Sequence, residues 1–162
     1  MKKILTFLAI CFAFSINPSF AVDLPDLPQN TTTTATEEVA VNPYELDMPY
    51  DKAIKQDKPV VLLFYTNWCG ACKRALPLIK MQKTQFGQDF VFTTLNAEDT
   101  NYSDTIKDYR LRCFPTVYII DPKYDNRVHL EVSYIFNADA FSKELKRYIK
   151  IRKLLDSAKV AE

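Results

Sequence analysis

Net charge is the first thing missing from this chain, with 21 lysines and arginines against 20 aspartates and glutamates. A balance this close to neutral lacks the basic surface that nucleic acid requires, which excludes it as a partner. No apolar run reaches the roughly 20 residues needed to cross a bilayer. No internal repeat is present, so solenoids are excluded. Cysteine occurs four times, too sparsely for the disulfide framework of small secreted domains. Only two glycines, Gly70 and Gly87, and one histidine, His129, occur in 162 residues.

The N-terminus carries its own signature. Met1-Lys2-Lys3 is a short positive start, Ile4 to Ile16 is almost wholly apolar, and Ser19-Phe20-Ala21 offers small residues at the two positions a signal peptidase reads. Residues 1–21 are therefore expected to be a cleaved bacterial export signal, which places the chain in the periplasm. Cleavage removes two lysines and Cys11, leaving 19 basic against 20 acidic residues and three cysteines. An odd count in an oxidising compartment means that at least one thiol is unpaired, reactive or bonded to another molecule. Residues 22–43 are rich in proline and threonine and cannot bury enough apolar surface to offset their ordering entropy, so a flexible tether is expected there. A folded domain over 44–156 and a tail over 157–162 complete the organisation.

The chemistry concentrates in Trp68-Cys69-Gly70-Ala71-Cys72, which follows the apolar run Val60-Val61-Leu62-Leu63-Phe64-Tyr65 and opens a helix-compatible stretch. Unpaired N–H groups and the macrodipole at a helix N-terminus stabilise an anion, so Cys69 is expected to ionise near neutral pH. Cys72 lies one turn on, close enough to close a disulfide. Lys73, Arg74 and Arg112 are expected to favour the thiolate further. With Asn67 rather than an acid before Trp68, the rim should be electropositive.

The pattern predicts a helix over Tyr50 to Gln56, a buried strand over Val60 to Tyr65, and a helix from Cys69 to Phe86 interrupted by Pro77 and ended by Gly87. A strand over Phe90 to Leu95, a helix over Tyr102 to Tyr109 and a strand over Thr116 to Ile120 follow, alternating as βαβ units do. Arg127 to Ile135 alternates like an edge strand, and a last helix begins near Asn137.

These features together resemble the thioredoxin family. The resemblance rests on the strand, WCGAC, Lys73, Pro77 and Arg112-Cys113-Phe114-Pro115-Thr116, which is similar to the family's cis-proline loop and places Pro115 43 positions after Cys72. It implies an α/β thioredoxin-like fold, a single domain with a central mixed sheet flanked by helices. It also implies a thiol-disulfide oxidoreductase acting as a reductase, with Cys69 as nucleophile and Cys72 as the resolving thiol. Trp68, Gly70, Ala71, Phe114, Pro115 and Thr116 would bind substrate, and the Phe114–Pro115 bond would be cis. Trp68 would cover the disulfide. The expected cofactor is none beyond the Cys69–Cys72 pair. The expected partners are protein disulfides and an upstream thiol reductant or oxidant, with no stable membrane insertion after cleavage and a monomeric state.

The chain also departs from the family. Leu63 falls where thioredoxins carry a buried aspartate and Thr94 where its lysine partner lies, which implies a slower resolving step. Tyr134 stands where a glycine usually flanks the groove. Cys113 is an additional thiol with a possible regulatory role. Oxidase or isomerase activity, soft-metal carriage by Cys69, Cys72, Cys113 and His129, and membrane binding by the basic last helix are the alternatives.

Overall fold

The computed structural model describes residues 42–160. The expected signal over 1–21 and all but the last two residues of the expected tether lie outside them, as do residues 161 and 162. At the centre stands β1, Val60–Tyr65, whose six residues are all buried. Such a run suits only a strand covered on both faces. It pairs in parallel with β2, Val91–Asn96, and antiparallel with β3, Thr116–Asp121, which pairs in turn with the antiparallel β4, Asn126–Leu130. The order is β2-β1-β3-β4, a mixed sheet. Parallel neighbours need a crossover, and the helix α2, Gly70–Phe86, supplies it.

Alternation along β1 sends its side chains to opposite faces of the sheet, and Val60 at its start joins Ala53 and Val91 in a small cluster. Val61, Leu63 and Tyr65 share one cluster with Leu76, Ile79 and Phe86 of α2 and with Phe141, Leu145 and Tyr148 of the last helix, α5, Ala138–Val160. Leu62 and Phe64 join Tyr50, Leu95 and Tyr109 in a second. Tyr50 belongs to α1, Tyr50–Ala53, and Tyr109 closes α3, Ser103–Asp108.

The outer edge of β2 is closed by the chain just before α1. Asp47 N donates to Phe92 O at 3.0 Å, Phe92 N to Asp47 Oδ2 at 2.8 Å, Thr93 Oγ1 to Met48 O at 2.7 Å and Thr94 Oγ1 to Tyr44 O at 2.9 Å. Lys83 pairs with the same Asp47 at 2.7 Å.

Several elements differ from expectation. The edge strand ends at Leu130, and Val132–Ile135 forms a short helix, α4. Tyr134 N donates to Glu131 O at 3.0 Å, and Ile135 alone is buried while Val132, Tyr134 and Phe136 stay exposed. An alternating pattern was satisfied here by one anchoring residue in a helical turn. Helix α1 stops at Ala53 rather than Gln56, because Lys55-Gln56-Asp57-Lys58 offers no apolar face. The expected helix over Tyr102 to Tyr109 is preceded by a 3-10 turn, Thr100–Tyr102, whose first N–H groups include one bonded to Asp99 Oδ1 at 2.9 Å. Gly87 caps α2 with φ −63°, not in a left-handed conformation. Helix α5 begins after Asn137, whose Oδ1 accepts from Ala140 N at 3.0 Å, and it runs into the expected tail as far as Val160.

Surface ion pairs shape the acid limb of stability, and buried tyrosines the alkaline limb. Arg127 beside Asp108, Arg147 beside Glu144 and Lys123 beside Asp156 each hold the carboxyl below the usual carboxylate range. A lowered pKa gives stability that is present above the unfolded value near 4 and is lost as pH falls through the folded one. Burial raises Tyr109 and pushes Tyr148 up to about 12. That contribution is present below about pH 10 and is lost as pH rises further. The melting midpoint is expected to be flat between about pH 5 and 9 and to fall on both sides. Salt should blunt the acid limb, since those carboxylates face solvent. A midpoint that rose below pH 4 would contradict the assignment.

Candidate active site

After β1 the chain turns through Thr66, Asn67 and Trp68, closed by Cys69 N donating to Thr66 O at 3.2 Å. Cys69 is the N-cap of α2, with φ −74° and ψ 98°, and its sulfur accepts from Cys72 N at 3.0 Å. Sulfur thus takes the place that a serine or aspartate oxygen holds in ordinary caps. The two cysteines are bonded, with Cα atoms 5.2 Å apart. No acid occupies the first turn of the 17-residue helix, so no carboxylate there competes with a Cys69 thiolate for its dipole. Cys72 is completely buried and Cys69 is 5% exposed, so only Cys69 offers an attacker any surface.

The expected contact residues surround this pair unevenly. Gly70 is exposed, with no atom within 4 Å of where a Cβ would stand, and Ala71 is half-buried against the core. Trp68 is 70% exposed. Its Nε1 donates to Glu98 Oε1 at 2.8 Å, and Asn67 N reaches Glu98 Oε2 at 3.4 Å. Glu98 lies just past β2, where its own N–H is turned by Asn96 Oδ1 at 3.0 Å. The rim is therefore not purely electropositive, because Glu98 brings a carboxylate to it. Sequence reasoning missed Glu98, and its only signal was an acid just beyond a strand parallel to the one that ends at the cysteines.

The Phe114–Pro115 peptide is cis. Pro115 and Thr116 are buried, and Thr116 Oγ1 donates to Cys113 O at 2.6 Å, bracing the loop across the cis bond. Phe114 meets Trp68 edge to face, with ring centroids 6.3 Å apart, and packs against the cluster containing both cysteines. The loop and the WCGAC turn thus form one continuous surface.

Leu63 is fully buried, and its register partner across β1 and β2 is Thr94, whose hydroxyl is committed to Tyr44 O. Neither a carboxylate nor an ammonium stands behind the disulfide at these positions. Cys113 is an exposed free thiol. It lines a cavity with His129, on the face of β4 that meets Tyr118. Among the described residues, no three of histidine, cysteine, aspartate and glutamate come together as a metal site. Cys69 and Cys72 are spent on each other. Tyr134, in α4, is 38% exposed beside exposed Val132 and Phe136.

Residues 41–147 match the family model described as Thioredoxin. Thioredoxin of Mycoplasmoides gallisepticum is 33% identical over 67 residues, covering 41% of this chain and 64% of that protein. Protein disulfide-isomerase A5 of Bos taurus is 32% identical over 63 residues, 39% of this chain and 12% of the other. Among the first relatives matched, the alignment spans between 12% and 45% of their length. The crystal structure of thioredoxin from Trypanosoma brucei brucei superposes with a TM-score of 0.53 at 19% identity, covering 66% of this chain and 94% of that one. At that identity the likeness establishes a thioredoxin-like fold.

Proposed function

The chain belongs to the thioredoxin family, and from that membership we propose that it is an exported thiol-disulfide oxidoreductase that reduces disulfides in partner proteins. One observation carries the reading: a bonded cysteine pair whose outer sulfur is the N-cap of a long helix and whose inner sulfur is sealed in the core.

In the reduced protein the peptide dipoles at the start of α2 favour the Cys69 thiolate over the thiol. The Cys69 thiolate attacks one sulfur of a client disulfide, forming a Cys69–client bond while the other client sulfur leaves as a thiolate. The Cys72 thiol loses its proton and its sulfur attacks Cys69, expelling the second client sulfur and leaving Cys69 bonded to Cys72. Two electrons have passed to the client, with no cofactor needed. Trp68, Gly70, Ala71, Phe114, Pro115 and Thr116 form the docking surface, against which a client lies as an extended strand. An upstream thiol reductant restores the pair.

Export rests on the leader over 1–21, with cleavage after Ala21 releasing a periplasmic monomer without membrane insertion. Reduction rather than oxidation is favoured by compactness, since the 43 positions between Cys72 and Pro115 leave no room for a large helical insertion. The test is the reduction potential against glutathione, which should lie below that couple, with N-terminal sequencing of the periplasmic fraction starting at Val22. A potential well above glutathione would make the chain an oxidase instead, because 30 mV is about 1.4 kcal/mol in this two-electron exchange.

Leu63 and Thr94 give the resolving step a distinctive property. With no ionisable pair behind the disulfide, proton removal from Cys72 is left to water or the backbone. Placing the acid back, as Leu63→Asp with Thr94→Lys, should speed decay of the client mixed disulfide about tenfold while lowering stability, since charge enters a dry core. Stopped-flow quenching reads the decay. An unchanged lifetime would refute the assignment.

A further inference from the structure

We propose that the cavity beside the cis-proline loop is a recognition pocket for a carboxylate on the client polypeptide, an inference that rests on the oxidoreductase reading above. The cavity measures about 330 Å³, and Arg110, Arg112, Cys113, Thr116, Tyr118 and His129 line it. No acid is among its walls.

Its cations are uncommitted. Arg127, Arg147 and Arg152 each hold a carboxylate, whereas neither Arg110 nor Arg112 makes an ion pair among the described residues. The acid Asp108 is bonded to Arg127 and feels Arg110 only as a lesser influence. The hydroxyls of the pocket are already used, Thr116 on Cys113 O at 2.6 Å and Tyr118 on Tyr109 O at 3.3 Å. What remains for an incoming group is two guanidiniums, whose planar forks suit a carboxylate, beside the Cys113 thiol and the His129 imidazole.

The position fits a client. Cys113 is joined to Phe114, whose ring meets Trp68, so the cavity opens one residue from the cis bond. A client strand lying along that loop advances about 3.3 Å per residue and alternates its side chains. An acidic residue about two to four positions from the client's reactive cysteine therefore reaches the pocket. The chain reaches this wall through Arg110 in a left-handed conformation, φ 48°, which dictates the choice of variant.

The test compares disulfide-bridged peptides that differ only in having glutamate or glutamine at those positions. At 25 mM salt the wild-type chain is expected to reduce the glutamate peptide with a kcat/KM about fivefold higher, falling to less than twofold at 0.5 M salt. Arg110→Asn, which the left-handed backbone accepts, should bring the low-salt ratio to about two while the glutamine peptide is reduced as before. Arg110→Lys should fall between. A wild-type ratio near one, or a ratio untouched by Arg110→Asn, overturns the pocket and leaves the oxidoreductase reading standing. If neither peptide is reduced, that reading fails, and equilibrium binding of the same peptides to Cys69→Ser protein decides the pocket alone. Arginine-dependent preference for glutamate upholds it, and equal binding overturns it.

Discussion

Cys69→Ser is expected to bring insulin reduction by dithiothreitol down to the uncatalysed rate, a loss on the order of a thousandfold or more. A serine hydroxyl in the same cap keeps the hydrogen bond from Cys72 N, so the helix start survives. Oxygen, however, can neither ionise near neutral pH nor exchange into a disulfide. Cys72 cannot substitute, because its sulfur has no exposed surface. Losing the four-residue loop costs about 2 kcal/mol by chain entropy, small enough that circular dichroism should still show a folded chain. Cys72→Ser should behave differently, attacking clients and then accumulating a mixed disulfide visible on a non-reducing gel. Full activity in Cys69→Ser would overturn the mechanism.

Arg152→Ala is the second large effect, and it falls on stability. Asp121, at the end of β3, is 1% exposed, and its Oδ2 accepts from Arg152 Nε at 2.7 Å while Oδ1 accepts from Lys123 N at 3.1 Å. Arg152 is the cation that ties α5 to the sheet there, its side chain only 18% exposed. Removing it strands a buried carboxylate, a change worth about 3 to 5 kcal/mol, or a large fraction of a domain's 5–15 kcal/mol. The melting midpoint should drop by about 10 to 20 °C. Adding Asp121→Leu should recover most of it, because the penalty belongs to the unpaired charge and not to the missing bond. A midpoint within 2 °C of wild type, a shift of under about 1 kcal/mol, would mean the pair is solvated.

Much of this was legible in the sequence, and the exceptions have physical causes. Val60–Tyr65 was readable because six buried residues in succession admit one structure, and Asn137 because its side chain starts a helix locally. Cys69 and Cys72 announced themselves through the strand before them and the helix behind. The stretch from Val132 to Phe136 misled because alternation describes which residues are apolar, while the backbone chose a turn that buries only Ile135. Glu98 stayed hidden because its partner Trp68 is 30 positions away, and only parallel pairing of β1 with β2 brings them together. The Asp121–Arg152 pair was invisible because its partners are 31 positions apart and meet only where α5 packs against the end of β3. The cationic cavity could not be read from Arg110 and Arg112 alone, since His129 and Tyr118 arrive from two other strand positions.

The segment that covers β2 has a bearing on where the chain can be cut. Asp47 occupies the backbone N–H and carbonyl of Phe92, which would otherwise be open to a strand from another molecule, and Tyr44 and Met48 hold the chain there through the hydroxyls of Thr94 and Thr93. Proteolytic trimming that stopped short of Asn42 would spare this shield. Trimming past Met48 would uncover Phe92, Thr93 and Thr94 together, opening the outer edge of β2 to a strand from another molecule.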